Sequence, residues 1–337
     1  MLETMNELEI HEMFMQRCIE IAKKNSNNYY PNPSVGALIV KNNKIISEGC
    51  TSDYGGNHAE VNAIGSVKNK SDLINSTIYV TLEPCSHYGK TPPCSKLIIE
   101  SGIKKAVIGC ADNSSKVNGK GISMLKNNGV DVISNVLEED CIKLHRNFLH
   151  FNKYKKPYII LKWAKSKDQF IAPLEKKEIK SFNVSSLESR QLVHKWRSEE
   201  HAILVGYQTV KDDNPKLTTR HISGRNPLRV VLDEKKSLES SFNVFNNESK
   251  TIVIDNYLKD FPFSICKKLF ELNVQSLIVE GGKKTLELFI NNDCWDEARI
   301  FENENLLKSG IKSPSIKGIL KTEKKVGKDM LKIFTRN

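Results

Sequence analysis

The chain has 337 residues and a formal net charge of +11; at roughly twice the usual single-domain length, two domains with separate cores are expected. No window approaches the roughly 18 uninterrupted apolar residues of a membrane span, and the opening MLETMNELEIHEMF carries acids where a secretory signal carries bases, so a cytoplasmic protein with no membrane partner is expected. The positive charge suits phosphorylated small molecules as well as nucleic acid, but no basic block is interleaved with aromatics, and no nucleic-acid partner is expected.

In chain order, EMFMQRCIEIAKK has apolar residues at helical spacing, and VGALIVKNNKIISEG reads as two strands around an Asn-containing turn. HAEVNAIGSV then reads as a helix, STIYVTLEPC as a strand, CSKLIIESG as a helix ending at Gly102 and KKAVIGCAD as a strand. GISMLKNNGVDVI supplies a further helix and strand. Such alternation predicts an α/β layered domain. Around HFNKYKKPYIILKWAKSKD a charged, Pro-containing segment leads into a new strand, which sets the boundary near Phe151 to Lys156 and gives domains over 1–152 and 153–337. The second half alternates again: SLESRQLVHKWRSE as helix, HAILVGY, LRVVLD, KTIVIDN and VQSLIVEGG as strands, KTLELFINN as helix. A second α/β domain is expected.

Eight cysteines are too sparse for a disulfide scaffold, so a close pair signals metal or chemistry. His58, Cys85 and Cys94 are such candidates, each at a predicted helix start or strand end, where positive helix ends help keep thiolates ionised. Three protein ligands leave a zinc ion one position for water, the arrangement of hydrolytic sites. Glu60, two residues beyond His58, would then shuttle protons. HAE and EPC match the H-x-E and P-C signature of zinc nucleobase deaminases, but Cys94 stands nine positions beyond Cys85 instead of following it closely.

That long insert, SHYGKTPP, lies in a stretch that resembles a known family. PNPSVGALIV, HAEVNAI and YVTLEPCSHYGKTPPC are similar to the deaminase half of the bifunctional riboflavin-biosynthesis deaminase-reductases, and the resemblance runs through nearly the whole chain. It implies a cytidine-deaminase-like three-layer domain acting on a free phosphorylated pyrimidine, 2,5-diamino-6-(5-phosphoribosylamino)pyrimidin-4-one. His58, Cys85 and Cys94 would hold Zn2+, Glu60 would be catalytic, and Asn32, His87 and Lys90 would contact substrate. Thr51 stands where the family has a histidine, which removes one substrate contact.

From its residues alone, the second half offers VEGGKKTLELF, a strand ending in two glycines with a helix behind, a geometry suited to phosphate at a helix start. ILKWAKSKDQFIA, SSLESRQLVHKWRSEEHAILVGYQTVKDDNPKLTTR and VEGGKKTL resemble the reductase half of the same family. That resemblance implies a dihydrofolate-reductase-like domain using NADPH to reduce the ribosyl group to ribityl. It assigns Ala164, Asn183, Thr209, Asp213 and Gly282 to the dinucleotide, and Ser181, Arg197, Leu217, Arg220 and Glu280 to substrate, with the two arginines suited to a ribose phosphate. Gln169 replaces a family glycine and Asn183 a tryptophan that lies against the cofactor. A homo-oligomer is expected. The alternative is a nucleobase deaminase acting on nucleic acid with a C-terminal binding module; the long loop and the lack of a stacking platform weigh against it. A non-catalytic protein with structural zinc would show four protein ligands.

Overall fold

The computed structural model describes residues 5–25, 29–88, 92–112, 118–174 and 185–336, which divide into two compact units, Met1–Lys155 and Lys156–Asn337. Among the described residues, no helix is long and apolar enough to cross a membrane.

The first unit runs α1 (Glu7–Lys24), β1 (Gly36–Lys41), β2 (Lys44–Cys50), α2 (Ala59–Gly65), β3 (Thr77–Leu82), α3 (Cys94–Glu100), β4 (Lys105–Cys110), α4 (Lys120–Asn127), β5 (Asp131–Ser134) and α5 (Glu138–Tyr154). Helix α1 begins at a capping box, Asn6 and Glu9 each accepting the other's backbone N–H at 3.0 and 2.9 Å, and buries Phe14, Met15, Cys18, Ile19 and Ala22. Asn42 and Asn43 both take positive φ, as a two-residue hairpin between right-twisted strands requires. The sheet order is β2-β1-β3-β4-β5, with β3, β4 and β5 parallel. Helices α1 and α5 cover one face and α2, α3 and α4 the other, which makes three layers. Helix α5 runs through Tyr154, across part of the charged segment at which the sequence placed the domain boundary.

The second unit comprises β6 (Tyr158–Ser166), β7 (Phe170–Ala172), α6 (Leu187–Glu199), β8 (Ala202–Gly206), α7 (Tyr207–Asp213), β9 (Leu228–Leu232), β10 (Thr251–Ile254), α8 (Phe263–Glu271), β11 (Ser276–Val279), α9 (Lys283–Asn291), β12 (Glu297–Asn303), β13 (Ile311–Lys312), β14 (Ile319–Val326) and β15 (Asp329–Thr335). Its eight-stranded sheet has the order β10-β9-β8-β11-β6-β12-β15-β14, parallel from β10 to β12 and antiparallel beyond. The parallel strands are buried on both faces, Ile159, Leu161 and Leu277 in one core and Ile160 and Ile278 in another, so they read as continuous apolar runs. In an open parallel sheet, groups that leave the carboxyl ends of neighbouring strands converge on one crevice. Here β6, β8 and β11 supply those ends.

Candidate active sites

In the first unit, three segments bring a metal-binding set together. His58 is the N-cap of α2, with Glu60 behind it in the first turn, 4% exposed. Helix α2 approaches this closely because β2 offers Gly49; a Cβ there would stand 2.4 Å from the Ala59 carbonyl oxygen. Asn62 donates to the Cys50 carbonyl at 2.7 Å and to Ser52 Oγ at 2.9 Å, which pins the loop leading to His58. Cys85 follows the end of β3, its carbonyl accepting from the Ser95 N–H (3.1 Å) and hydroxyl (3.0 Å). Cys94 opens α3, and its N–H donates to Cys85 Sγ at 3.3 Å.

His58 Nδ1 lies 3.7 Å from Cys85 Sγ and 3.3 Å from Cys94 Sγ, and the three ligand atoms all fall within 4.8 Å of one another. Around a tetrahedral zinc with bonds of about 2.0–2.3 Å, such atoms stand roughly 3.5–3.8 Å apart, so the donor set fits the ion and leaves a corner for water. The hydrogen bond from Cys94, and His58 nearby, lower the Cys85 thiol well below the usual range. Cys94 is pushed up by Cys85 and by burial. Burial, with Cys85 also raising it, pushes the Glu60 carboxyl up to about 7 against the pull of His58.

The other expected contacts are more dispersed. Asn32 sits half-buried in the turn before β1, its N–H bonded to the Tyr29 carbonyl at 2.9 Å, and His87 is exposed on the loop after Cys85. Lys90 lies outside the described residues, as do Ser181 and Asn183 of the second half. Thr51 is buried; its hydroxyl accepts from the Val35 N–H at 2.9 Å and donates to the Pro33 carbonyl at 3.0 Å. The threonine thus braces the loop that carries Asn32.

In the second unit a cavity of about 920 Å³ opens at the ends of β6, β8 and β11. It is lined by Ala164, Thr209, Asp213, Gly282, Arg197, Leu217, Arg220 and Glu280 together. Its volume suits a large organic ligand, and Gly282, N-cap of α9, faces it with a backbone N–H bonded to Thr209 Oγ1 at 3.0 Å. A helix start free of side-chain bulk fits a dinucleotide phosphate. Leu217 joins two roles: its side chain packs with Val205, Val210 and Val231 while it lines the cavity at φ +54°, a conformation costing of order 1–3 kcal/mol.

In the cavity lining, Arg197 presents its guanidinium fork to Glu280, at 3.1 and 2.8 Å, and Lys162 Nζ stands 3.5 Å from the same carboxylate. Burial raises Glu280, but Arg197 and Lys162 outweigh it and hold the group down to about 2. One carboxylate cannot fully offset two buried cations, and Lys162 is lowered, by burial first and by Arg197. His194 accepts the Arg220 backbone N–H on Nδ1 at 3.1 Å; burial, then Arg197, Arg220 and His221, push it down to about 4. Sequence reasoning did not single out Lys162 or His194. The one available signal was a lysine inside the apolar strand ILKWA.

Gln169 takes φ +70°, accepts from Lys165 Nζ at 2.6 Å and is not among the described residues that line the cavity. Gln169→Gly is therefore expected to leave the KM for NADPH unchanged while relieving roughly 1 kcal/mol of left-handed strain, offset in part by the lost Lys165 bond. A several-fold drop in that KM would mean that the side chain does crowd the cofactor.

Two family models match the chain: the cytidine and deoxycytidylate deaminase zinc-binding region over residues 8–110, and the RibD C-terminal domain over residues 157–303. The riboflavin biosynthesis protein RibD of Aquifex aeolicus is 36% identical, the match covering 97% of this chain and 99% of that protein. A crystal structure of a diaminohydroxyphosphoribosylaminopyrimidine deaminase/5-amino-6-(5-phosphoribosylamino)uracil reductase from Thermotoga maritima is also 36% identical, with a TM-score of 0.88 over 98% of this chain and 100% of its own. RibD of Acinetobacter baumannii, 27% identical, gives 0.87 over the same shares. Matched in both halves and along nearly its whole length, the chain belongs to the RibD family of riboflavin-biosynthesis proteins.

Proposed function

We propose that residues 1–152 release the ring 2-amino group of 2,5-diamino-6-(5-phosphoribosylamino)pyrimidin-4-one as ammonia, and that residues 153–337 then reduce the ribosyl group of the product to ribityl. The observation that carries this is the convergence of one imidazole and two thiols in front of the buried Glu60, in a chain whose other unit holds a large basic cavity at its strand ends. Zinc, when bound, supplies the Lewis acidity that ionises water near neutral pH, and NADPH supplies the reducing equivalent.

The chain's own residues do the rest. Glu60 takes one proton from water and gives it to a ring nitrogen; it then takes the second, from the hydroxyl added at the amine-bearing carbon, and gives it to the departing amine, so that the carbonyl forms as the C–N bond breaks and ammonia leaves. Its burial favours that exchange over permanent ionisation. Asn32 reads the pyrimidine edge, and His87 and Lys90 approach the substrate phosphate. In the second unit Ala164, Asn183, Thr209, Asp213 and Gly282 hold the dinucleotide. Ser181, Arg197, Leu217, Arg220 and Glu280 hold substrate, Arg197 also keeping Glu280 ionised and oriented. With the Arg197 fork on Glu280, Arg220 is the arginine assigned to the ribose phosphate. None of the eight cysteines is in a disulfide, which fits the reducing cytoplasm in which we place the enzyme, as a homo-oligomer.

The test supplies the ribotide with and without NADPH and follows ammonia and cofactor oxidation separately. Ammonia should appear without NADPH, and oxidation should follow only after deamination. Removing zinc with dipicolinate should stop ammonia release yet leave oxidation intact when the deaminated ribotide is supplied. Ammonia release that persists after verified zinc removal would overturn the metal reading.

A further inference from the structure

We infer that Glu83 is a positioning residue of the metal centre, a buried carboxylate that fixes where Cys85 stands by tying the end of β3 to the start of α4. Glu83 is the first residue after β3; its N–H bonds to the Cys110 carbonyl at 2.9 Å, and the residue is 4% exposed. Its Oε2 accepts from the N–H groups of Asp112 (3.2 Å) and Gly119 (3.1 Å), and its Oε1 from those of Gly121 (2.9 Å) and Ile122 (3.2 Å). Four backbone donors on one carboxylate match the acceptor capacity of an ionised acid and exceed what an amide oxygen offers.

The reason for this arrangement lies in α4. Its first N–H groups lack intrahelical partners, its N-cap is Gly119, with no side chain to cap them, and its first turn holds no acid. Glu83, thirty-six residues earlier than Gly119, supplies the missing acceptor. The helix start is thereby drawn against the backbone leading to the metal ligand. A Cβ on Gly121 would stand 2.0 Å from the Pro84 carbonyl oxygen. From the other side, Ser95 of α3 holds the Cys85 carbonyl by two hydrogen bonds, and the Cys94 N–H reaches Cys85 Sγ. The Pro84–Cys85 segment is thus held between two helix starts, and Glu83 supplies one side of the grip. Partners behind a metal ligand typically control affinity by about 10–100-fold.

The inference rests on Cys85 being a zinc ligand. The experiment measures zinc affinity by competition with a chromophoric chelator, below the melting temperature of each variant, and the thiolate-to-metal absorption of the cobalt(II)-substituted protein. Glu83→Gln puts an amide donor among N–H groups; it should weaken zinc binding by about 10–100-fold and shift the cobalt spectrum, while NADPH oxidation on deaminated ribotide stays at the parental rate. Parental affinity and spectrum in Glu83→Gln, even with a lowered melting temperature, would reduce Glu83 to a purely structural residue and overturn the inference. Should Glu83→Gln fail to fold, Glu83→Asp keeps the charge but shortens its reach to the four N–H groups, and is held to the same two outcomes. If the parental chain itself binds no zinc, both the ligand assignment and this inference fall; a tight parent with an equally tight variant sinks only the inference.

Discussion

Glu60→Gln is expected to keep its zinc and lose ammonia release by about 10²–10⁴-fold, the usual range for removing a positioned general acid-base group. The amide preserves side-chain size in the first turn of α2, where Glu60 is 4% exposed, so the packing of that helix on β2 through Gly49 should survive. His58, Cys85 and Cys94 are untouched, and zinc content should stay at the parental level. What the variant cannot do is take a proton from one partner and hand it to another, because an amide has no accessible protonation step near neutral pH. Ammonia release and zinc content together check this, with NADPH oxidation on the deaminated ribotide as a reference for the second unit. Normal turnover in a zinc-replete Glu60→Gln chain would remove Glu60 from the mechanism.

The second large effect concerns Arg197. Its side chain is 11% exposed and makes a two-point bond to Glu280, itself 11% exposed. Arg197→Ala leaves that buried carboxylate to Lys162 alone, a change that typically costs about 3–5 kcal/mol when one partner of a buried pair is removed. Arg197→Lys keeps the charge but not the planar fork, so it should lose less stability while still failing to hold both carboxylate oxygens. NADPH-dependent reduction should fall sharply in both variants, with ammonia release at the parental rate; denaturant midpoints separate the stability loss from the catalytic one. Equal loss of both activities would mean that the two reactions are not divided between the units as assigned. Reduction at the parental rate in Arg197→Lys would mean that charge alone suffices and that the fork does not orient Glu280.

The local periods of the chain determined much of this protein without help from its tertiary structure. KNNK between two apolar runs already specified a hairpin, because paired asparagines tolerate the left-handed backbone that such a turn demands, and both residues adopt it. The apolar runs in HAILVGY and VQSLIVEGG became doubly buried parallel strands for the same reason that they lack polar alternation. His58, Cys85 and Cys94 were legible because zinc chemistry restricts ligand types to a small set, whatever fold delivers them.

Other features depended on partners distant in sequence. Helix α5 buries Cys141, His145 and Phe151 against the sheet but is otherwise rich in charge, so its tail over residues 151–154 read as part of the domain boundary until the layer beneath it supplied a face to cover. Glu83 was one more acid in the sequence; the turn of α4 that closes on it comes more than thirty residues later, and only the parallel pairing of β3 with β4 brings the two together. Lys162, Arg197 and Glu280 lie on β6, on α6 and just beyond β11, and they meet because the sheet places β11 beside β6, an order that does not follow the chain. Spacing along a sequence sets which face of an element a residue occupies; which elements face each other is decided by burying all those faces at once.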